Sequence, residues 1–342
     1  MREISIQKNE AGQRVDKFLA KYLNKAPKSF FYKMMRKKNI TLNGKKAVGN
    51  EQLKQGDVIK LFLAEETIEN FIDHSQFSKK KASSARKQTA GKKVQLDILY
   101  EDEAAVFINK PVGMLSQKAS PTDTSLVEYF IDYLLENGKI TEEELHTFHP
   151  SVCNRLDRNT SGIVAAGKTL QALQGLSEMF RDRTLKKYYL CLVKGQVKEN
   201  QRIHGYLVKN EKTNKVTVSQ KKPAEQTKDG KEASAIDTEY KVLARNRETT
   251  LLEVHLITGK THQIRAHLAS IGHPIAGDYK YGNRSFNDAL KKEYGLRSQL
   301  LHAYRLEFPE NCEGDIKQLS GKIIKAPVPA LFEQICKAQG VM

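Results

Sequence analysis

His149-Pro-Ser-Val-Cys-Asn-Arg-Leu-Asp-Arg-Asn-Thr-Ser-Gly-Ile-Val-Ala-Ala-Gly-Lys-Thr169 places one carboxylate, Asp157, between two arginines, Arg155 and Arg158. A turn signal, Asn159-Thr-Ser-Gly162, follows it. The apolar run Ile163–Ala166 then reads as a buried strand. A carboxylate on a loop at a strand entrance, flanked by positive charge, stays ionised and can attack an electrophile or accept a proton. The same residues also fit a turn aspartate paired with an arginine, and this stretch alone leaves both readings open. Gly162-Ile-Val-Ala-Ala-Gly-Lys-Thr169 matches the G-x-x-x-x-G-K-T phosphate loop letter for letter. Such a loop needs free backbone N–H groups, whereas Ile-Val-Ala-Ala reads as strand, with its N–H groups committed to a ladder. A nucleotide hydrolase is therefore a rival reading only, tied to Lys168.

Around this stretch lie 342 residues, long enough for two domains, with 57 Lys+Arg against 40 Asp+Glu and a formal net charge of +17. So large a basic excess favours a polyanionic partner, with nucleic acid first. The four cysteines, Cys153, Cys191, Cys312 and Cys336, form no C-x-x-C pair and support neither a zinc site nor a disulfide framework. His262 and His267 are five residues apart, the wrong spacing for two ligands on one helix face, so no metal is expected. The first residues show no signal region and no run reaches transmembrane length. The expectation is a soluble, cytoplasmic protein that does not engage a membrane.

Residues 1–64 read as a separate small α/β unit. Val15, Phe18, Leu19, Tyr22 and Leu23 make one helical face. Residues 27–38 read as a second helix, with Lys28, Lys33, Arg36, Lys37 and Lys38 along one flank. Short strands are expected at 40–44 and 57–63. The unit holds 15 basic and 5 acidic residues, a net +10, so more than half of the excess charge sits in under a fifth of the length. Concentrated charge of this kind contacts phosphates and positions a nucleic acid without reading its sequence. Residues 65–93 are expected to be a flexible basic linker; within it, residues 79–93 carry seven positive charges, no negative one and no large apolar side chain. Residues 94–342 form the larger domain. Strands are expected at 96–100, 104–109, 187–195, 251–257 and 301–308, and helices at 125–137, 170–183, 262–271 and 329–338. Residues 210–231 read as an exposed hairpin or insertion. Strands dominate and helices flank them, which predicts an α+β fold with a large, mostly antiparallel mixed sheet.

Taken together and in order, Lys110-Pro-Val-Gly113, Arg155-Leu-Asp-Arg-Asn-Thr-Ser-Gly162, Lys187-Tyr-Tyr189, Gly259-Lys-Thr-His-Gln-Ile-Arg-Ala-His-Leu268 and Gly272-His-Pro-Ile-Ala-Gly-Asp278 resemble the motifs of the pseudouridine synthases. The set covers about residues 94–335 and is closest to the RluA-type subgroup, which modifies large-subunit ribosomal RNA and some other RNAs. Arg14-Val-Asp-Lys-Phe-Leu, the basic second helix, Ile40-Thr-Leu-Asn-Gly-Lys and Gly56-Asp-Val-Ile resemble the S4 RNA-binding domain. Three departures are mild. Asn39 stands where the S4 pattern has glycine, a position where asparagine also tolerates a left-handed cap. Lys260 replaces a usual arginine and Gly167 a more common alanine.

The resemblance implies an isomerase that detaches uracil from C1′ of a ribose, rotates it and rejoins it through C5, without a cofactor. It implies that Asp157 is the catalytic aspartate, that Tyr189 packs on the uracil ring, and that Arg265 pairs with the aspartate. It also implies that Arg155 fills the gap left by a flipped nucleotide. Lys110, Lys187 and His262, with Lys28, Lys33, Arg36, Lys37 and Lys38, are the remaining candidate RNA contacts. The chemistry suits the residue types: a carboxylate can capture an electron-poor sugar carbon, and a stacked base must leave its helix to be reached. The expected partner is RNA, 23S rRNA or a large-subunit precursor, met by a monomer. A non-catalytic RNA-binding or ribosome-assembly protein on the same fold is the alternative.

Overall fold

The structure, a computed structural model, describes residues 1–73, 94–142, 144–210, 213, 215–222 and 233–342. The first seven elements are β1 (Arg2–Ser5), α1 (Val15–Tyr22), α2 (Lys28–Arg36), β2 (Ile40–Leu42), β3 (Lys45–Lys46), β4 (Val58–Leu61) and α3 (Glu65–Asn70). Their strands form one four-stranded sheet in the order β1-β4-β2-β3. The apolar faces of both helices close over it, burying Val15, Phe18, Leu19, Phe31 and Met35 beside Ile59 and Leu61. Asn43 (φ 50°) and Gly44 (φ 75°) turn β2 into β3, a two-residue reversal that asparagine and glycine tolerate best.

Two expectations for this region need correcting. Helix α2 ends with Lys38, not Asn39, in the left-handed conformation (φ 60°); Asn39 N then donates to Met34 O (2.9 Å) and Lys38 N to Met35 O (3.1 Å). The left-handed residue falls one position earlier because this paired cap closes on the carbonyls of the last turn. The linker was expected to begin at residue 65, yet residues 65–70 are helical, and Ile68 and Ile72 are buried in the N-terminal core. Ile68, Phe71 and Ile72 have helical spacing and a core to join, so burial favours order there. Residues 74–93, where the rest of the linker was expected, lie outside the described residues.

The larger part comprises β5 (Ile98–Glu101), β6 (Ala105–Lys110), α4 (Leu126–Glu136), β7 (Ser151–Val152), β8 (Ser161–Gly167), α5 (Leu170–Asp182), β9 (Lys186–Lys194), β10 (Gln201–Asn210), β11 (Lys215–Ser219), β12 (Ser234–Arg245), β13 (Thr249–Leu256), α6 (Gln263–Ser270), α7 (Arg284–Tyr294), β14 (Leu301–Glu307), β15 (Ile323–Lys325) and α8 (Ala330–Ala338). One large sheet runs β11-β10-β12-β13-β9-β14-β8-β6-β5, with β7 and β15 paired at β8 and β14. Among the described pairings between strands of the sheet only β14 with β8 is parallel, so the sheet is mixed and mostly antiparallel, in an α+β chain.

Helices cover both faces, and the central strands are buried on both. Every residue of β8 is buried. Val164 and Ala166 join the core shared with α4 and α6, while Ile163 and Ala165 face α5. In β9, Tyr189, Cys191 and Val193 share the first of these faces, and Leu190 and Leu192 meet α7 and α8 on the other. Burying each large side chain in such a strand contributes roughly 1.5–3 kcal/mol.

The register fixes where the functional candidates meet. Ala303 of β14 lies opposite both Gly162 and Tyr189, so these two residues, 27 apart in sequence, flank one intervening strand. Gly162 has φ +112°, and a Cβ there would sit 2.1 Å from Ala303 O; only glycine permits this approach. The N-terminal unit touches the larger part through residues 8–13. Gln13 Nε2 donates to Thr147 O (3.2 Å), Thr147 Oγ1 to Glu10 Oε1 (2.7 Å), and Asn9 Nδ2 to Glu144 Oε1 (3.0 Å). Among the described residues no helix is long and apolar enough to cross a membrane.

Candidate active site

The loop that carries Asp157 is pinned along its whole length. Ser116 Oγ accepts from Leu156 N and donates to Leu156 O, both at 3.0 Å. Gly113 N donates to Arg158 O (2.8 Å), and Arg158 Nε returns a bond to Gly113 O (3.0 Å). Asn154 docks the entrance on β8 by accepting from Ala165 N (2.8 Å) and donating to Ile163 O (3.2 Å). The exit is closed by Thr160 N donating to Asp157 O (3.0 Å). Fixed backbone on both sides limits the freedom of the carboxylate it presents, which is what a reacting group requires.

Asp157 is the outer member of a carboxylate–guanidinium–carboxylate chain. Arg265 Nη1 donates to Asp157 Oδ2 at 2.8 Å. The opposite edge of the guanidinium is held by Asp278, with Nε to Oδ2 at 2.7 Å and Nη2 to Oδ1 at 2.9 Å. Asp278 is fully buried and also accepts from Lys280 N (2.8 Å) and Tyr281 N (3.1 Å). Burial pushes its carboxyl up, but Arg265 and these N–H groups outweigh that and hold it below the ordinary carboxylate range. Burial also opposes charge on Arg265, and the two carboxylates more than compensate, so its guanidinium is raised above the ordinary value. A bidentate pair at one edge leaves the other edge aimed at Asp157.

Asp157 opens onto a cleft of about 860 Å³. Seven basic side chains line it, Lys118, Arg155, Arg158, Lys187, Lys260, Arg265 and Lys280, against one acidic residue, Asp157. Tyr189, Leu156, Leu256, Ile264 and Leu301 supply an apolar wall. Burial, with a smaller push from Asp157, raises the Tyr189 hydroxyl above its ordinary pKa, so it keeps its proton at neutral pH. A cleft with an apolar wall, one carboxylate and several cationic side chains in its lining fits a planar uncharged base carried on phosphates.

The structure brings Asp157, Tyr189, Arg265, Arg155, Lys187 and His262 to this one cleft. Arg155 is exposed at its rim, whereas Lys187 is 7% exposed, its ammonium pulled below the ordinary pKa by burial and by Arg183. Lys110 departs from expectation. It was a candidate RNA contact, but it is fully buried, and its Nζ donates to Pro111 O (3.0 Å), Met114 O (2.9 Å) and Arg158 O (3.2 Å). Its donors are engaged with the turns that carry the aspartate loop, so it braces them instead of facing a ligand. Lys28, Lys33, Arg36, Lys37 and Lys38 are exposed on the N-terminal unit and do not line the cleft.

Three contributors were not singled out from sequence. Asp278 ends a quoted motif, and its pairing with Arg265 needed the fold. Tyr281 lies 5.2 Å from the Arg265 guanidinium across its ring face. Gln299 Nε2 donates to Thr160 Oγ1 (3.1 Å) beneath the loop. The phosphate-loop lookalike is strand β8 up to Gly167, paired on both sides, and Lys168 Nζ is bound to Glu101 at 2.8 Å.

Comparisons with known proteins point to one family. Residues 104–270 match the family model described as RNA pseudouridylate synthase. The chain is 34% identical over 336 residues to the ribosomal large subunit pseudouridine synthase C of Vibrio parahaemolyticus, covering 97% of this chain and 94% of that protein. It is 32% identical to the protein of the same name from Salmonella typhi, over 94% of this chain and 93% of the other. Among solved structures, human RNA pseudouridylate synthase domain containing 4 superposes with a TM-score of 0.57 at 23% identity, over 72% of this chain and 94% of that one, a likeness of fold.

Proposed function

Because the chain belongs to the RNA pseudouridylate synthase family, we propose that this RNA pseudouridine synthase acts on uridine in large-subunit (23S) ribosomal RNA and that Asp157 is its catalytic aspartate. The large-subunit assignment is supported by the names of relatives matched along nearly the whole chain. The observation that carries the role of Asp157 is its carboxylate 2.8 Å from Arg265, facing a cation-lined slot beside Tyr189.

In this reading the target uridine leaves its stack and enters the slot, and Arg155 at the rim takes its place in the RNA. The uracil ring lies on Tyr189. Asp157 stabilises or captures the electron-poor C1′ as the N1–C1′ bond breaks. The base turns, C5 joins C1′, N1 gains a proton and C5 loses one, so the reaction is an isomerisation with no net redox change. Arg265, clamped by Asp278, holds the carboxylate in line. Residues 1–73 act as an S4-like RNA-binding unit whose exposed lysines and Arg36 contact phosphates. The enzyme works as a monomer in the cytoplasm, where its four free cysteines are at home.

Asp157→Asn separates this reading from a non-catalytic RNA-binding role. With transcribed 23S rRNA, wild type should form pseudouridine, and the variant should bind with similar affinity yet form none, a loss of at least about 10³-fold. Full activity in the variant would refute the assignment. Absence of product from wild type on 23S rRNA, with product on another RNA, would move the substrate and leave the chemistry.

A further inference from the structure

His262 sits at an unusual point of the cleft wall. It is the residue before α6 and adopts a left-handed backbone (φ 54°), a conformation costly for most side chains but one in which histidine is enriched. That bend brings its imidazole between two partners. Nδ1 is 2.9 Å from the Tyr281 hydroxyl, and Nε2 is 3.8 Å from Asp157 Oδ2.

The hydrogen-bond partners of Tyr281 favour one ring nitrogen as the carrier of the proton. Its oxygen accepts from Val216 N–H at 3.0 Å, and a backbone N–H can only donate. The phenol has one proton of its own, and among the described residues the remaining partner of that oxygen is His262 Nδ1. Burial, the largest influence on this tyrosine, keeps the phenol protonated. Donation from the Tyr281 hydroxyl to Nδ1 gives that proton a partner and leaves the hydrogen of a neutral ring on Nε2. The other end of the ring requires the same arrangement. A bare Nε2 lone pair facing Asp157 would repel the carboxylate, whereas an N–H facing it is attracted. Burial comes first in disfavouring the charged ring, with Arg265 and Lys280 beside it, against attraction from Asp157 and Asp278.

At 3.8 Å the Nε2–H is too far from Asp157 for a hydrogen bond, so among the described residues this donor at the cleft wall has no acceptor in bonding range. We propose that Tyr281 fixes His262 as the Nε2–H tautomer and that this N–H donates to an oxygen of the extruded nucleotide beside Asp157. The acceptor is a uracil carbonyl or the ribose 2′-hydroxyl, which share this chemistry. The proposal rests on Asp157 marking the reacting centre, and it adds a second polar contact together with the residue that orients it.

Protein labelled with 15N-histidine reads the tautomer directly. Wild type at pH 7.5 should show His262 as neutral with hydrogen on Nε2, and Tyr281→Phe should shift it to a mixture. Single-turnover rates at saturating RNA test the donor. His262→Leu should fall by about 10²–10³-fold, a loss of the size seen for one oriented donor. His262→Gln, whose amide nitrogen overlays Nε2, should recover most of that loss. A substrate with 2′-deoxyuridine at the target position assigns the oxygen: if the leucine defect vanishes there the acceptor is the 2′-hydroxyl, and if it persists the acceptor is the base. An Nδ1–H or charged ring in wild type overturns the proposal. So does wild-type speed in His262→Leu, or a glutamine variant as slow as leucine. Should His262→Leu not fold, the tautomer measured in wild type and Tyr281→Phe decides. Activity in Asp157→Asn would sink the aspartate assignment while leaving the measured tautomer intact, so the two failures are distinguishable.

Discussion

Lys110 precedes the turn Pro111-Val-Gly113 and lies sealed beneath the loop that carries Asp157. A lysine beside a glycine turn in a basic protein invites a phosphate contact. Here burial is complete, and three carbonyls from the 111–114 turn and Arg158 take its protons. Lys110→Met should leave those carbonyls without a donor, destabilise the protein by about 2 kcal/mol at pH 7 and slow turnover by loosening the aspartate loop. Denaturant titration and single-turnover kinetics measure the two effects. A pH signature accompanies them. Burial pulls the Lys110 ammonium from 10.5 down to about 8, partly offset by attraction to Asp157. The folded state then releases this proton before the unfolded chain does, so the unfolded state binds more protons between pH 8 and 10.5. The cost of burying the charge is fully present below pH 8 and is relieved as pH rises through that window. The stability of wild type relative to Lys110→Met should accordingly increase from pH 8 to 10; a flat difference would show that Lys110 keeps an ordinary pKa.

At the scale of elements, helix α6 and strand β8 were legible by different signals. β8 announced itself as an apolar run after a turn, and both of its faces are buried. α6 has no amphipathic stripe to read, since residues 263–268 are all buried. Its place was legible because Thr258-Gly-Lys-Thr261 and Gly272-His-Pro274 punctuate it. Its polar side chains tolerate burial because each is paired: Gln263 with Thr258, Thr238 and Asp237, His267 with Thr238, and Arg265 with its two carboxylates. Helix α3 carries helical spacing at Ile68, Phe71 and Ile72, but the charged run beyond it dominates the composition of that stretch. The approach of β8 to β14 yields a test at this scale. Gly162→Ala puts a methyl group against Ala303 O and a side chain at φ +112°. It should destabilise the protein by about 3 kcal/mol or more and shift the aspartate loop, lowering both melting temperature and activity. A variant as stable as wild type would mean the two strands separate more readily than their register suggests.

Across the whole molecule, charge and contact divide the labour between the two units. The N-terminal unit carries net charge on an exposed helix flank and meets the larger part through residues 8–13. Replacing Lys33, Arg36 and Lys37 together by glutamine should weaken RNA binding and lower the salt slope by about 2–3, at ~0.7–0.9 for each phosphate no longer neutralised. Cleft chemistry should be spared, so the single-turnover rate at saturating RNA should stay near wild type. An unchanged salt slope would remove this helix from the RNA interface. By itself the sequence determined the strand-rich α+β class, the basic N-terminal unit, the order of the motifs and the residue types able to do the chemistry, because period, turn residues and charge are local properties of a chain. Only the tertiary structure decided that Asp278 clamps Arg265, that Tyr281 meets His262 and that Lys110 is sealed away. Those facts depend on distances between residues far apart in sequence, set by strand register and by the cost of leaving any buried charge or donor unpaired.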